Sequence, residues 1–303
     1  MPDEFRPPER VGFIGLGNMG APMARRICEA GYTLRVMDAS PEAVERFRSR
    51  VDCSAETTPA ALGQACRVVI TMLPDGHAVR QVALEDGGLA SRLAPGAVMI
   101  DMSSSAPTGT RELAAELSRS GIVLIDAPVS GGVARAQEGK LAIMAGGDPA
   151  ALARCGGLFA ALGQVFATGP SGSGHAMKAL NNYLSAIALG AAGEAIIAGE
   201  RFGIDPATMI RILNSSTGRN TATEQKFPAF VLPRTFNSGF ALGLMAKDLR
   251  IALGLARETG APAMLLESCA RLWERAEQQL GFGADNTEVV RYLESLPAGG
   301  ASG

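Results

Sequence analysis

The chain has 303 residues, 47% hydrophobic and 19% charged, an ordinary globular profile and enough length for two domains at roughly 100–200 residues each. Its 28 basic and 30 acidic residues leave a net charge of −2, with aromatics at 5%, so neither a field nor stacking platforms exist to recruit nucleic acid or an anionic membrane. Cys28, Cys53, Cys66, Cys155 and Cys269 lack CxxC spacing, and His77 and His175 stand apart, which predicts free thiols in a reducing, cytoplasmic setting and no metal site.

The opening MPDEFRPPER carries no apolar run, so no signal peptide is expected there. Residues 11–16, VGFIGL, predict a buried strand. Gly15, Gly17 and Gly20 follow at GxGxxG spacing, through Leu16, Asn18 and Met19, and APMARRICEAG continues as a helix. TLRVMD then predicts a second strand ending in Asp38. Gly15 permits the tight turn, Gly17 lets a pyrophosphate approach the backbone, and Gly20 allows close helix–strand contact. The helix N-terminus meets the phosphates with free N–H groups. Strand, helix and an acidic residue about twenty positions on complete the dinucleotide fingerprint. Asp38 suits the ribose hydroxyls and repels a 2′-phosphate, and Ala39, Ser40 and Pro41 supply no arginine beside it. NAD is expected in preference to NADP, with NADP possible.

The alternation continues through strands at 67–74, 97–105, 122–132, 141–147 and 164–168, with helices over 107–120 and 149–161. This predicts an α/β Rossmann-like domain, a mostly parallel sheet with helices on both faces, over residues 1–172. Leu73-Pro74, Ser103-Ser104-Ser105 and Ser130-Gly131-Gly132 fall at strand ends, where such sheets bind ligands.

GHAMKALNNYLSAIALGAAGEAIIAGE, 174–200, reads as one long helix with Glu194 as the single charge between Lys178 and Glu200. So apolar a helix is expected to be buried. Lys178 and Asn182, four apart, share a face. An ammonium there implies a cleft, a salt bridge or a lysine snorkelling from a helix end. Helices alone follow, at 205–214, 222–232, 241–259, 262–280 and 285–295, with Asp205-Pro206 a good start signal. An all-helical substrate and dimerisation domain is therefore expected over 173–303, joined by the long interdomain helix. Lys247 and Asp248 stand in an apolar stretch, either as a surface pair or with Lys247 reaching a carboxylate or cofactor. Arg135, just past Gly132, reads as a solvated helix residue, and the closing PAGGASG as disordered.

VGFIGLGNMGAPMA, ITMLP, DAPVSGGV, GHAMKALNN and LMAKDL occur in that order over roughly residues 10–295. With them the chain resembles the β-hydroxyacid dehydrogenases, nearest the 3-hydroxyisobutyrate dehydrogenase type. The resemblance implies an NAD-dependent dehydrogenase of a small 3-hydroxy acid or semialdehyde, working as a homodimer or homotetramer, without nucleic acid or membrane. It implies Lys178 as catalytic residue, Ser130, Gly131 and Gly132 as the substrate-carboxylate loop, and Asn182 as an orienting partner. It places Lys247 against substrate and nicotinamide, and Leu73, Pro74 and Ser104 at the cofactor; many relatives have threonine where Ser104 stands. A tartronate semialdehyde reductase is the alternative within the family. A 6-phosphogluconate-type enzyme would have histidine in place of Asn181, and imine reductases generally lack the lysine at 178. A non-catalytic assembly protein is the reading from another class.

Overall fold

The computed structural model describes residues 4–297. The start of MPDEFRPPER, and all of PAGGASG but Pro297, lie outside the described residues. The chain divides into two compact units, Met1–Lys178 and Ala179–Gly303.

The first unit runs β1 (Arg10–Ile14), α1 (Gly20–Glu29), β2 (Thr33–Met37), α2 (Pro41–Arg48), β3 (Ser54–Ala55), α3 (Pro59–Ala65), β4 (Val68–Thr71), α4 (Gly76–Leu84) and β5 (Val98–Asp101). It continues with α5 (Pro107–Ser118), β6 (Val123–Asp126), β7 (Val129–Ser130), α6 (Gly132–Glu138), β8 (Leu141–Gly146), α7 (Pro149–Arg154), α8 (Gly156–Leu162) and β9 (Gly163–Gly169). Strand order is β3-β2-β1-β4-β5-β6-β8-β7, with β9 beside β8. The pairs from β3 to β6 are parallel; β8 runs antiparallel to β6 and β7. Successive residues point to opposite faces of the sheet. Phe13, Ile70, Ile100 and Ile125 join the core on one face, while Ile14, Val69, Met99 and Leu124 join that on the other. Both faces are covered, which explains strands that read as unbroken apolar runs rather than alternations. Sequence order reverses between β1 and β4, so the loops after these strands flank the switch point where such sheets bind ligands.

Five helices of this unit and its neighbour begin on side-chain caps: Ser40, Thr58, Asp75, Asp148 and Asp205 each accept from the backbone N–H three residues on. The helix expected over 149–161 is instead two, α7 and α8, meeting at Cys155. The Gly156-Gly157 pair lets the chain press inward, since a Cβ on Gly157 would stand 2.5 Å from the Tyr32 hydroxyl. The strand expected over 122–132 ends at Asp126; Gly131 and Gly132, at φ 134° and 69°, turn the chain into α6.

The long helix is α9 (Ser173–Phe202), and the unit boundary falls within it. Ala186, Leu189, Ala192 and Ile196 join the helical unit's core with Leu242, Leu249, Trp273 and Val289. Full burial does not hold: Met177, Leu180 and Leu184 are 42%, 40% and 63% exposed along one stripe. The other helices are α10 (Pro206–Asn214), α11 (Leu242–Thr259), α12 (Met264–Leu280) and α13 (Val289–Ser295). Residues 222–231 form a π-helix rather than an α-helix. Pro228 has no N–H for its i−4 carbonyl, and the wider register appears in the bond from Leu232 N–H to Phe227 O, 2.9 Å. The helix expected over 285–295 opens with a 3₁₀ turn, Asn286–Glu288, capped by Asp285.

Candidate active site

The glycine loop after β1 is built as its spacing requires. Gly15 takes φ 101°, and a Cβ there would lie 2.2 Å from the Met72 carbonyl oxygen. A Cβ on Gly20 would lie 1.9 Å from the Gly15 carbonyl oxygen. Both glycines are therefore explained by backbone contacts inside the unit. Gly17 is not: a Cβ there would meet nothing within 4 Å. Space with no protein reason suits a ligand that approaches the backbone. Helix α1 fits the same ligand, because it starts at Met19 with no side-chain cap and no acid in its first turn. That leaves its N-terminal end to an external anion. Asp38 closes the loop from the end of β2. Its carboxylate accepts from Leu16 N–H at 2.6 Å and Ser40 N–H at 2.8 Å. Each oxygen keeps a lone pair for a sugar hydroxyl.

The loops after β4 and β5 are joined to one another. Leu73 N–H donates to Ser103 Oγ at 2.9 Å. Buried Asp101 accepts from Thr71 Oγ1, Ser103 N–H and Ser105 Oγ, each at 3.0 Å. The flanking serines are thus consumed in structure, and Ser104, between them, is the half-exposed one. Pro74 is exposed beside Leu73.

Ser130 is half-buried at the end of β7, and Gly131 and Gly132 are exposed with positive φ. A Cβ on Gly132 would meet nothing within 4 Å. Arg135 is exposed, as expected, with its alkyl stem lying over Gly131.

Lys178 is buried at 9% exposure in the second turn of α9. Asn182, one turn on, is 5% exposed and donates from Nδ2 to Asp248 Oδ2 at 2.6 Å, while its Oδ1 accepts from Asn181 Nδ2 at 3.1 Å. Asp248 is 2% exposed, and its Oδ1 has no hydrogen-bond partner; Lys247 Nζ lies 3.8 Å from that oxygen. The surface-pair reading of Lys247 and Asp248 fails, since Asp248 is enclosed and Lys247 largely so. Sequence reasoning missed Asp248 as a site residue. The available signal was a carboxylate beside Lys247 on an otherwise apolar helix. It also missed Asp101, Asp126 and His175, which the structure joins in one buried group. The signal there was an aspartate ending each of two apolar strands, VMID and VLID.

Two family models match. One, described as the NAD binding domain of 6-phosphogluconate dehydrogenase, covers residues 10–169; the other, described as NAD-binding of NADP-dependent 3-hydroxyisobutyrate dehydrogenase, covers 172–293. The NAD-dependent L-serine dehydrogenase of Pseudomonas aeruginosa is 35% identical over 94% of this chain and 97% of its own length. The mitochondrial 3-hydroxyisobutyrate dehydrogenase of Rattus norvegicus is 37% identical over 93% of this chain and 86% of its own. Among solved structures, the 3-hydroxyisobutyrate dehydrogenase of Mycobacterium tuberculosis with L-serine superposes with a TM-score of 0.88 at 30% identity, covering 95% of this chain and 99% of that one.

Proposed function

We propose a reaction and its residue roles from one premise: the chain belongs to the β-hydroxyacid dehydrogenase family, of the 3-hydroxyisobutyrate dehydrogenase type. It is an NAD(P)-dependent oxidoreductase acting on the CH–OH group of a small hydroxy acid. The observation that carries the assignment of roles is a buried amine, Lys178, one helical turn ahead of an asparagine locked by a buried carboxylate.

When bound, NAD accepts the hydride that leaves the carbinol carbon. Gly15, Leu16, Gly17, Asn18, Met19 and Gly20 hold its pyrophosphate, and Asp38 the adenosine ribose. Leu73, Pro74 and Ser104 hold the nicotinamide half. Backbone N–H groups at Ser130, Gly131 and Gly132 take the substrate carboxylate, because the glycines let it come close. Lys178, in its neutral form, removes the hydroxyl proton as hydride departs, and returns it in the reverse direction. Asn182 is already oriented: one N–H is spent on Asp248, so the second is free to point at the reacting oxygen. The Asp38 carboxylate, with no arginine behind it, favours NAD over NADP.

The substrate is a 3-hydroxyisobutyrate-like acid. L-Serine, named with two of the relatives, belongs to the same class of β-hydroxy acids. Absorbance at roughly 340 nm, the reduced nicotinamide band, followed with NAD and with NADP over 3-hydroxyisobutyrate, 3-hydroxypropionate, L-serine, glycerate and threonate tests this. Turnover with at least one acid, faster with NAD, is expected. No turnover with any would favour the non-catalytic reading, and faster reduction of NADP would defeat the cofactor assignment.

The protein is cytoplasmic and works as a homodimer or homotetramer. All five cysteines are free, which supports a reducing compartment. The exposed Met177, Leu180 and Leu184 stripe supports self-association. Light scattering should give a mass of two or four chains; a mass of one would contradict it.

A further inference from the structure

The turn that carries Lys178 is fastened from below. Gly172 N–H donates to Asp126 Oδ1 at 2.7 Å, and His175 N–H to Asp126 Oδ2 at 2.9 Å, so this buried carboxylate caps α9. A Cβ on Gly174 would stand 2.2 Å from the Met144 carbonyl oxygen and 2.7 Å from that of Asp126, so the backbone is pressed against the ends of β8 and β6. The His175 ring, itself buried, then reaches across to the cofactor side. Its Nε2 lies 3.1 Å from the Ser103 carbonyl oxygen and 3.5 Å from Asp101 Oδ2. Its Nδ1 lies 2.7 Å from Thr110 Oγ1 and 4.0 Å from Asp126 Oδ2. Ser103 in turn accepts from Leu73 N–H. One imidazole thus links the helical turn of Lys178 to both loops assigned to the nicotinamide half of the cofactor.

We propose that His175 is a positioning residue for hydride transfer, held between Asp101 and Asp126, that fixes Lys178 relative to the cofactor loops. The proposal rests on the proton-transfer reading of Lys178 above. Both ring nitrogens are engaged. Ser103 O can only accept, so Nε2 carries a proton. The Thr110 hydroxyl lies 2.7 Å from Nδ1 and 3.1 Å from the Ala106 carbonyl oxygen, so it ties the ring to α5. Around the ring stand Asp101 from β5 and Asp126 from β6. From α5 come the Thr110 hydroxyl and Arg111, which is turned to the Ser171 carbonyl. Lys178 lies three residues on along α9. Burial pushes the Asp126 carboxyl up, and His175 and the backbone donors around it oppose that rise.

The chain has two histidines, so ¹⁵N imidazole spectra of the intact protein, assigned with a His77→Asn variant, separate them. The His175 Nε2 should carry a proton, as its 3.1 Å approach to the Ser103 carbonyl oxygen requires. An unprotonated Nε2 would overturn the proposal. In kinetics, His175→Leu should lower kcat by about 10²-fold through misplaced geometry, with the KM for NAD changed far less. His175→Gln, which keeps a donor for the Ser103 carbonyl oxygen, should recover part of kcat. Should the leucine variant fail to fold, the spectra and the glutamine variant still decide. A folded His175→Leu enzyme with wild-type kcat and pH profile, beside an inactive Lys178→Ala, overturns the positioning role alone. Wild-type turnover in Lys178→Ala overturns the reading beneath it.

Discussion

Replacing Lys178 by alanine should cut kcat by roughly 10²–10⁴-fold, the span that a well-placed general acid–base supplies, while leaving NAD affinity close to that of the unaltered protein. The split follows from where the residues stand. The glycine loop, Asp38 and the joined loops after β4 and β5 owe their shape to bonds that do not involve Lys178. Cofactor titration by fluorescence and steady-state kinetics would therefore separate. Lys178→Arg is the sharper control. It retains length and positive charge but cannot give up its proton near neutral pH, so it should be about as slow as the alanine variant. If arginine restored turnover, the side chain would be acting by charge alone. An unchanged kcat in the alanine variant would remove Lys178 from the chemistry altogether.

The second large effect is a contrast inside one motif. Gly20→Ala puts a Cβ 1.9 Å from the Gly15 carbonyl oxygen. Backbone cannot yield as a flexible side chain would, and overpacking of this kind costs typically ~1–3 kcal/mol. Thermal melting of the cofactor-free protein should show a drop of several degrees. Gly17→Val adds atoms to a position whose Cβ meets nothing within 4 Å. Its melting temperature without cofactor should match that of the parent. The KM for NAD, however, should rise at least ~10-fold, equivalent to about 1.4 kcal/mol, because the added side chain occupies the approach of the pyrophosphate. Equal loss of stability in both variants, or unimpaired NAD binding in Gly17→Val, would show that the loop does not hold the cofactor as proposed.

Much of this was legible before any coordinates. Apolar runs bounded by Gly15, Leu73-Pro74 and Ser103 marked strands buried on both faces, and Asp205-Pro206 marked a helix start, because local pattern and capping chemistry act over a few residues. GxGxxG with Asp38 about twenty residues on was readable for the same reason: turn, helix and acid are successive along the chain. What could not be read were the places where a distant backbone decides the matter. The break at Cys155 depends on Tyr32, and the π-register around Pro228 on how that segment packs. The exposure of Met177, Leu180 and Leu184 depends on which faces of α9 the core leaves uncovered.

By itself the sequence determined the fold class and the family, since motif order and spacing are properties of the chain alone. Only tertiary structure decided that Asp248 is enclosed and bonded to Asn182, and that Asp101, Asp126 and His175 form one buried group. These partners stand 66, 49 and 74 residues apart in sequence. Hydrogen bonding and burial are set by separation in space, and no local pattern along a chain records which distant carboxylate will be deprived of water beside which donor.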